Sequence, residues 1–206
     1  MIVSINQPAY LPWRPYFDRI AMSDLHIVLD HVPFSKGSFV NRTRIQLPDG
    51  RLTWLTVPVE KGKSICETIV SSDVWKRKHW KTLCQSYPEI IDTWYKNVFN
   101  REYEFLSEVC RESVFWFEED LGIETEFLYS SQLPSPGHKT GLILNLCREV
   151  EADVYLSGPL GRNYLDLPAF VRAGIEVRFH DYTPPDPPVS VLHELFPRVS
   201  GTSPLR

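Results

Sequence analysis

Short apolar runs alternate with amphipathic stretches along this chain. Residues 1–6 (MIVSIN) read as a buried strand, and Leu25 to Leu29 (LHIVL) as a second. Between them, Pro8, Pro12 and Pro15 stiffen Gln7 to Pro15 into a loop. Tyr16 to Ser23 then places Tyr16, Phe17, Ile20 and Ala21 on one helical face. Strand, loop, helix and strand in thirty residues are the signature of a βαβ unit.

The pattern then changes. Thr43 to Leu47 and Arg51 to Val59 flank Pro48-Asp49-Gly50, which predicts a β-hairpin, and Ile65 to Val70 predicts an edge strand. Trp75 to Ser86 reads as a helix with Asp73 as its N-cap, ended by Pro88. A broad apolar stripe predicts a helix from Tyr103 to Leu121, closed by Gly122.

The strand–helix alternation returns with Glu126 to Tyr129, a Ser/Pro/Gly-rich loop from Ser130 to Gly141, and a helix over Leu142 to Val150 with Thr140 as a cap. Val154 to Leu156, Leu167 to Ala173 and Ile175 to Phe179 continue it as strand, helix and strand. Pro184, Pro185, Pro187 and Pro188 predict a linker or surface-hugging tail, with a short helix from Val189 to Phe196. The fold class is α/β: a Rossmann-like, mostly parallel sheet flanked by helices. It carries an inserted hairpin at about 40–70 and a helical segment at about 73–121, within one domain over 1–206.

Composition narrows the function. The chain has 206 residues, 43% hydrophobic and 23% charged, which suits a folded core rather than a disordered segment. A net charge of −4 gives no electrostatic footprint for nucleic acid. No apolar run approaches the roughly 20 residues of a membrane span. The opening MIVSINQPAY lacks a secretory pattern, so the expected location is the cytoplasm. Cys66, Cys84, Cys110 and Cys147 show no C-x-x-C spacing and read as free thiols; no metal site is expected.

Candidate chemistry clusters where strands end. Gln7 and Tyr10 follow the first strand and Asp30 ends the second, so both turns should open onto the crevice beyond the carboxyl edge of the sheet. Asp30 is the candidate base, or a Mg²⁺ or amine partner. His79 is a second acid/base candidate, on a helix with Trp75 and Trp80 on one side and Lys76, Arg77, Lys78 and Lys81 on the other. Asn41 and Arg42 precede the hairpin. Ser157-Gly158-Pro159-Leu160-Gly161-Arg162 follows a strand without a Walker lysine.

Three segments carry a family resemblance: Gln7-Pro8-Ala9-Tyr10-Leu11-Pro12-Trp13 with Tyr16-Phe17; Leu29-Asp30-His31-Val32-Pro33-Phe34-Ser35-Lys36 leading to Asn41-Arg42; and Ala152-Asp153-Val154-Tyr155-Leu156-Ser157-Gly158 continuing to Gly161-Arg162-Asn163-Tyr164-Leu165. Together they resemble the WbqC-like protein family over about residues 1–180. The resemblance raises Asn41, Arg42, Gly158, Arg162 and Tyr164, beside Gln7 and Tyr10, to substrate-binding candidates. Such proteins occur in O-antigen and other polysaccharide gene clusters, and a glycine transferase role has been suggested for members. Pro15 and Pro33 depart from the family's usual Gly and Gln, and its later Tyr-x-Gln segment is missing.

The resemblance implies an acyl or aminoacyl transferase that forms an amide on an amino sugar, small or nucleotide-linked, from a thioester or an acyl-adenylate donor. Two other readings stand beside it. One is an ATP- and Mg²⁺-using ligase or nucleotidyl-transferring enzyme. Residues 199–206 resemble the Ser-Gly-Thr-x-x-Arg ending of such enzymes, but Pro204 breaks the match and residues 7–17 lack the expected His pair. The other is a non-catalytic binding or assembly protein. The sequence leaves the cofactor open.

Overall fold

Five parallel strands run side by side in the order β7-β2-β1-β8-β9: β1 (Ile2–Asn6), β2 (Leu25–Val28), β7 (Glu126–Tyr129), β8 (Val154–Ser157) and β9 (Glu176–Phe179). This computed structural model describes residues 1–60, 62–90, 98–134 and 136–196. The predicted ending at 199–206 and part of the helical segment, 91–97, lie outside them. Counted in chain order the sheet reads 3-2-1-4-5, the doubly wound arrangement in which the chain reverses direction beside its first strand. Val3 sits opposite both Leu25 and Tyr155, so β1 is central. Its neighbours β2 and β8 are buried throughout, which is why they read as continuous apolar runs.

Side-chain alternation gives the two faces different partners. Val3, Ile5, Leu25 and Ile27 pack with Leu146 and Cys147 of α4 (Lys139–Glu149) and with Phe170 of α5 (Leu167–Arg172). Ser4 and His26 point to the other face. There Ser4 Oγ lies 2.8 Å from His26 Nδ1 and 2.6 Å from Ser23 Oγ, and the imidazole meets the edges of Tyr16 and Phe127. Phe17 and Ile20 of α1 (Arg14–Ala21) cover this side together with Phe117 of α3 (Leu106–Leu121).

The inserted segment builds the second core. β3 (Arg42–Gln46) and β4 (Leu52–Thr56) form the expected hairpin, turned at Gly50 with φ +85°. The predicted edge strand is shorter than its apolar run: only Ile69–Val70 (β6) is extended, and it pairs with β5 (Val59–Glu60). α2 (Val74–Ser86) begins where expected, but Asp73 does not cap it through its side chain. Its carboxylate pairs with Lys76 at 2.5 Å instead. α3 starts at Leu106 rather than Tyr103, because the Glu108 carboxylate accepts from the N–H groups of Glu104 and Phe105 and fixes the entry there. Gly122 ends it in the left-handed conformation, as expected.

Two further expectations change. The cap position of α4 is His138, and Thr140 lies within the helix. The Thr140 hydroxyl donates to the Tyr164 carbonyl (3.1 Å) and accepts from the Asp166 N–H (3.2 Å), which ties α4 to the loop after β8. The tail does more than follow the surface. Beyond the prolines, Ser190 N–H donates to Arg44 C=O and Val191 N–H to Pro12 C=O. Val191 and Leu192, the latter opening α6 (Leu192–Leu195), are fully buried in the second core.

Candidate functional site

The chain reversal between β1 and β8 leaves a crevice at the carboxyl edge of the sheet, the usual place for ligands in open α/β folds. A cavity of about 350 Å³ occupies it, within the range of small-molecule sites. β1 contributes Asn6 and the turn after it Gln7, α1 Tyr16 and Arg19, the loop after β8 Gly158 to Gly161 and Tyr164, and the segment after β9 His180 and Tyr182.

Arg19 sets the electrostatics. It projects from the first crossover helix, and among the described residues it pairs with no carboxylate. Two acids that act on the neighbouring His180 are committed elsewhere: Asp18 to Arg14 at 2.5 Å, and Asp181 to Arg162 in a two-pronged pair at 2.7 and 2.8 Å. Arg19 Nε is buried without a hydrogen-bond partner. Burial lowers the guanidinium pKa, and the hydroxyls of Tyr155, Tyr16, Tyr164 and Tyr182 around it work in the opposite direction. A desolvated cation with no counter-charge is costly for a fold to keep, so its place at a polar cavity favours an anionic ligand.

The glycine at the mouth of the next loop makes room for it. A Cβ on Gly158 would lie 2.2 Å from Arg19 Nη1. A Cβ on Gly161 would lie 2.1 Å from Ser157 Oγ. His180 closes the far side. Its N–H donates to Ser157 C=O at 2.8 Å, and its ring packs on Tyr182 at 5.4 Å. Burial and the Arg19 charge lower its pKa, so at neutral pH it is an uncharged imidazole that can accept a proton.

The WbqC-like protein family matches residues 7–192, from the cavity lip at Gln7 to the buried tail at Leu192. The chain belongs to the WbqC-like protein family. It is also 36% identical to Rv1507c, an uncharacterized protein of Mycobacterium tuberculosis, over 191 residues that cover 87% of this chain and 82% of the relative. No solved structure matches. The match begins just after β1 and spans the other four strands of the sheet.

Of the residues singled out in the sequence, Gln7, Gly158 and Tyr164 line the cavity together. The others are placed differently. The buried Asp30 carboxylate accepts from Ser130 Oγ (3.0 Å), Ser131 N–H (2.9 Å) and Ser131 Oγ (2.8 Å). It thereby latches the end of β2 to the turn after β7. His79 and Tyr10 bond one another (Nδ1 to hydroxyl, 2.9 Å) in the second core, where burial lowers the imidazole pKa to about 4. Neither borders this cavity. Asn41 donates to Val57 C=O at 2.9 Å and so holds the hairpin. Arg42 donates to Gly37 C=O and lies 4.1 Å over the Trp54 ring. Arg162 is committed to Asp181 and lies 4.2 Å over Phe179.

Arg19, His180 and Tyr182 are cavity residues that sequence reasoning passed over. Arg19 had a readable signal: it lies three residues after Tyr16, so helical spacing sets it beside the buried face. Among the described residues no cluster of three or more His, Cys, Asp or Glu side chains is arranged for a metal. No described helix is long and apolar enough to cross a membrane.

Proposed function

We propose that this chain transfers an acyl or aminoacyl group, of the glycine type, to the amine of an anionic amino sugar, in cytoplasmic polysaccharide or related biosynthesis. One observation carries the reading: Arg19, half-buried, with its Nε buried and unpartnered and no carboxylate paired to it among the described residues, at a cavity on the switch point of the sheet. The guanidinium holds the anionic part of the acceptor, and Gln7 and Tyr164 orient its sugar through hydrogen bonds. The neutral His180 imidazole takes the proton as the amine nitrogen attacks the donor carbonyl. A C–N bond forms, the bond to the donor's leaving group breaks, and a thiolate or an adenylate phosphate departs with its electron pair. Asp30, bonded to Ser130 and Ser131, anchors the chain next to Leu29 of the cavity wall.

The test is incubation of the purified chain with glycyl thioesters or glycyl-adenylate and a panel of phosphorylated and nucleotide-linked amino sugars, read by mass spectrometry. A glycyl mass gain that is lost in His180→Gln and Arg19→Gln supports the reading. No gain over the panel, with folded protein, would refute it. The strand order favours one second reading, a ligase that makes its own acyl-adenylate from ATP. Release of AMP or pyrophosphate with free glycine and Mg²⁺ present identifies that case.

A further inference from the structure

A second hollow, of about 330 Å³, adjoins the first; Trp13, Tyr16, Phe39, Thr43, Arg44 and Val189 are among its walls. Trp13 and Tyr16 border both hollows. The rings of Trp13 and Phe39 are parallel within 4°, with centroids 6.5 Å apart. Stacked carbon atoms approach to about 3.5–4.0 Å, so a flat ring between two others needs roughly 7–8 Å. The observed 6.5 Å is a centre-to-centre distance that includes any sideways offset, so the two rings must part to admit a base between them. Phe39 is 56% exposed, on the loop ahead of β3, with its ring beside Trp54 at 5.7 Å and the rest of it open to solvent.

The polar element of this hollow is Arg44. Its guanidinium carbon lies 5.3 Å from the Trp54 ring centroid, it pairs with no carboxylate among the described residues, and its Nε is buried without a partner. A guanidinium offers donors only, which suits a ring edge that carries carbonyl oxygens.

We propose that this hollow is a nucleobase site, with Trp13 and Phe39 stacking on an oxo-bearing base, uracil or guanine, and Arg44 meeting its carbonyl oxygens. The phosphates of the same nucleotide then reach Arg19 around the edge of Trp13. The inference deepens the reading of the Arg19 cavity as an anion site and rests on it: it makes the amino-sugar acceptor a nucleoside diphosphate sugar.

Calorimetry on the full chain with pyrophosphate, UDP, GDP and ADP tests it. UDP or GDP should bind at least ~5-fold more tightly than pyrophosphate, the lower end of what one base–aromatic stack contributes. Phe39→Ala, at an exposed position, should erase that margin and leave pyrophosphate binding unchanged. Arg44→Met should narrow the gap between UDP or GDP and ADP. Equal affinities for pyrophosphate and all three nucleotides would overturn the base site while the Arg19 reading survives. ADP binding as tightly as UDP and GDP would overturn the role given to Arg44. No binding of any of the four would overturn the Arg19 reading and the base site with it.

Discussion

Two buried imidazoles make this fold acid-sensitive in a defined window. His26 has 0% exposure, and burial followed by the nearby Arg19 charge lowers its pKa from 6.5 to about 3. His79 falls to about 4, mainly through burial. Both are neutral in the folded chain and take up protons near pH 6.5 when it unfolds. Their stabilisation is thus complete above pH 6.5 and is lost as the pH falls toward the folded values. Each ring costs about 1.4 kcal/mol per pH unit in that window, so at pH 5 the loss is about 2 kcal/mol for each. Against the roughly 5–15 kcal/mol that holds an ordinary domain together, the pair is a large share.

Glu118 titrates the other way, since burial pushes its carboxyl up to about 7 and it regains stability as it protonates. The clean measure is therefore a difference between variants. Urea unfolding at pH 7 and pH 5 should show the wild type losing about 2 kcal/mol more than His26→Phe. The phenyl ring keeps the packing against Tyr16 and Phe127, and Ser4 retains its bond to Ser23. Parallel pH profiles for the two proteins would refute the claim that His26 is held neutral.

Three other substitutions separate scaffold from site. Asp30→Asn should lower stability by about 1–3 kcal/mol in urea titrations, by weakening the latch to Ser130 and Ser131, while pyrophosphate affinity stays within about twofold. Gly158→Ala is compatible with the local backbone (φ −69°, ψ 164°) but pushes against Arg19 Nη1; calorimetry should show pyrophosphate affinity reduced by about tenfold with the unfolding midpoint nearly unchanged. Leu192→Ala should cost about 2–5 kcal/mol in the same titration, since the tail that carries Leu192 is core rather than appendage.

The sheet was legible because its evidence is local. Apolar runs such as LHIV and VYLS, each next to a helical stripe, specify parallel strands without knowledge of their partners. Gly122 as a helix end and Gly50 as a turn are likewise decided by immediate neighbours. The role of a polar side chain depends on what arrives from elsewhere in the chain. Asp30 looks like a crevice carboxylate until Ser130 and Ser131, a hundred residues on, are placed against it. His79 looks available until Tyr10, 69 positions earlier, meets its ring. Arg19 shows the converse: its sequence neighbourhood is an ordinary amphipathic helix, and only the approach of the loop at Gly158 turns it into the cation of a cavity. Asp73 and Thr140 have cap-like chemistry at the right spacing, but Lys76 and the Tyr164 carbonyl claim them.

Trp13 and Tyr16 form a common wall between the two hollows. A guest that presses on that wall from one side changes the room left on the other. Any such effect is reciprocal: each occupant alters the other's affinity by the same factor. A molecule long enough to lie on both sides feels both rooms as one.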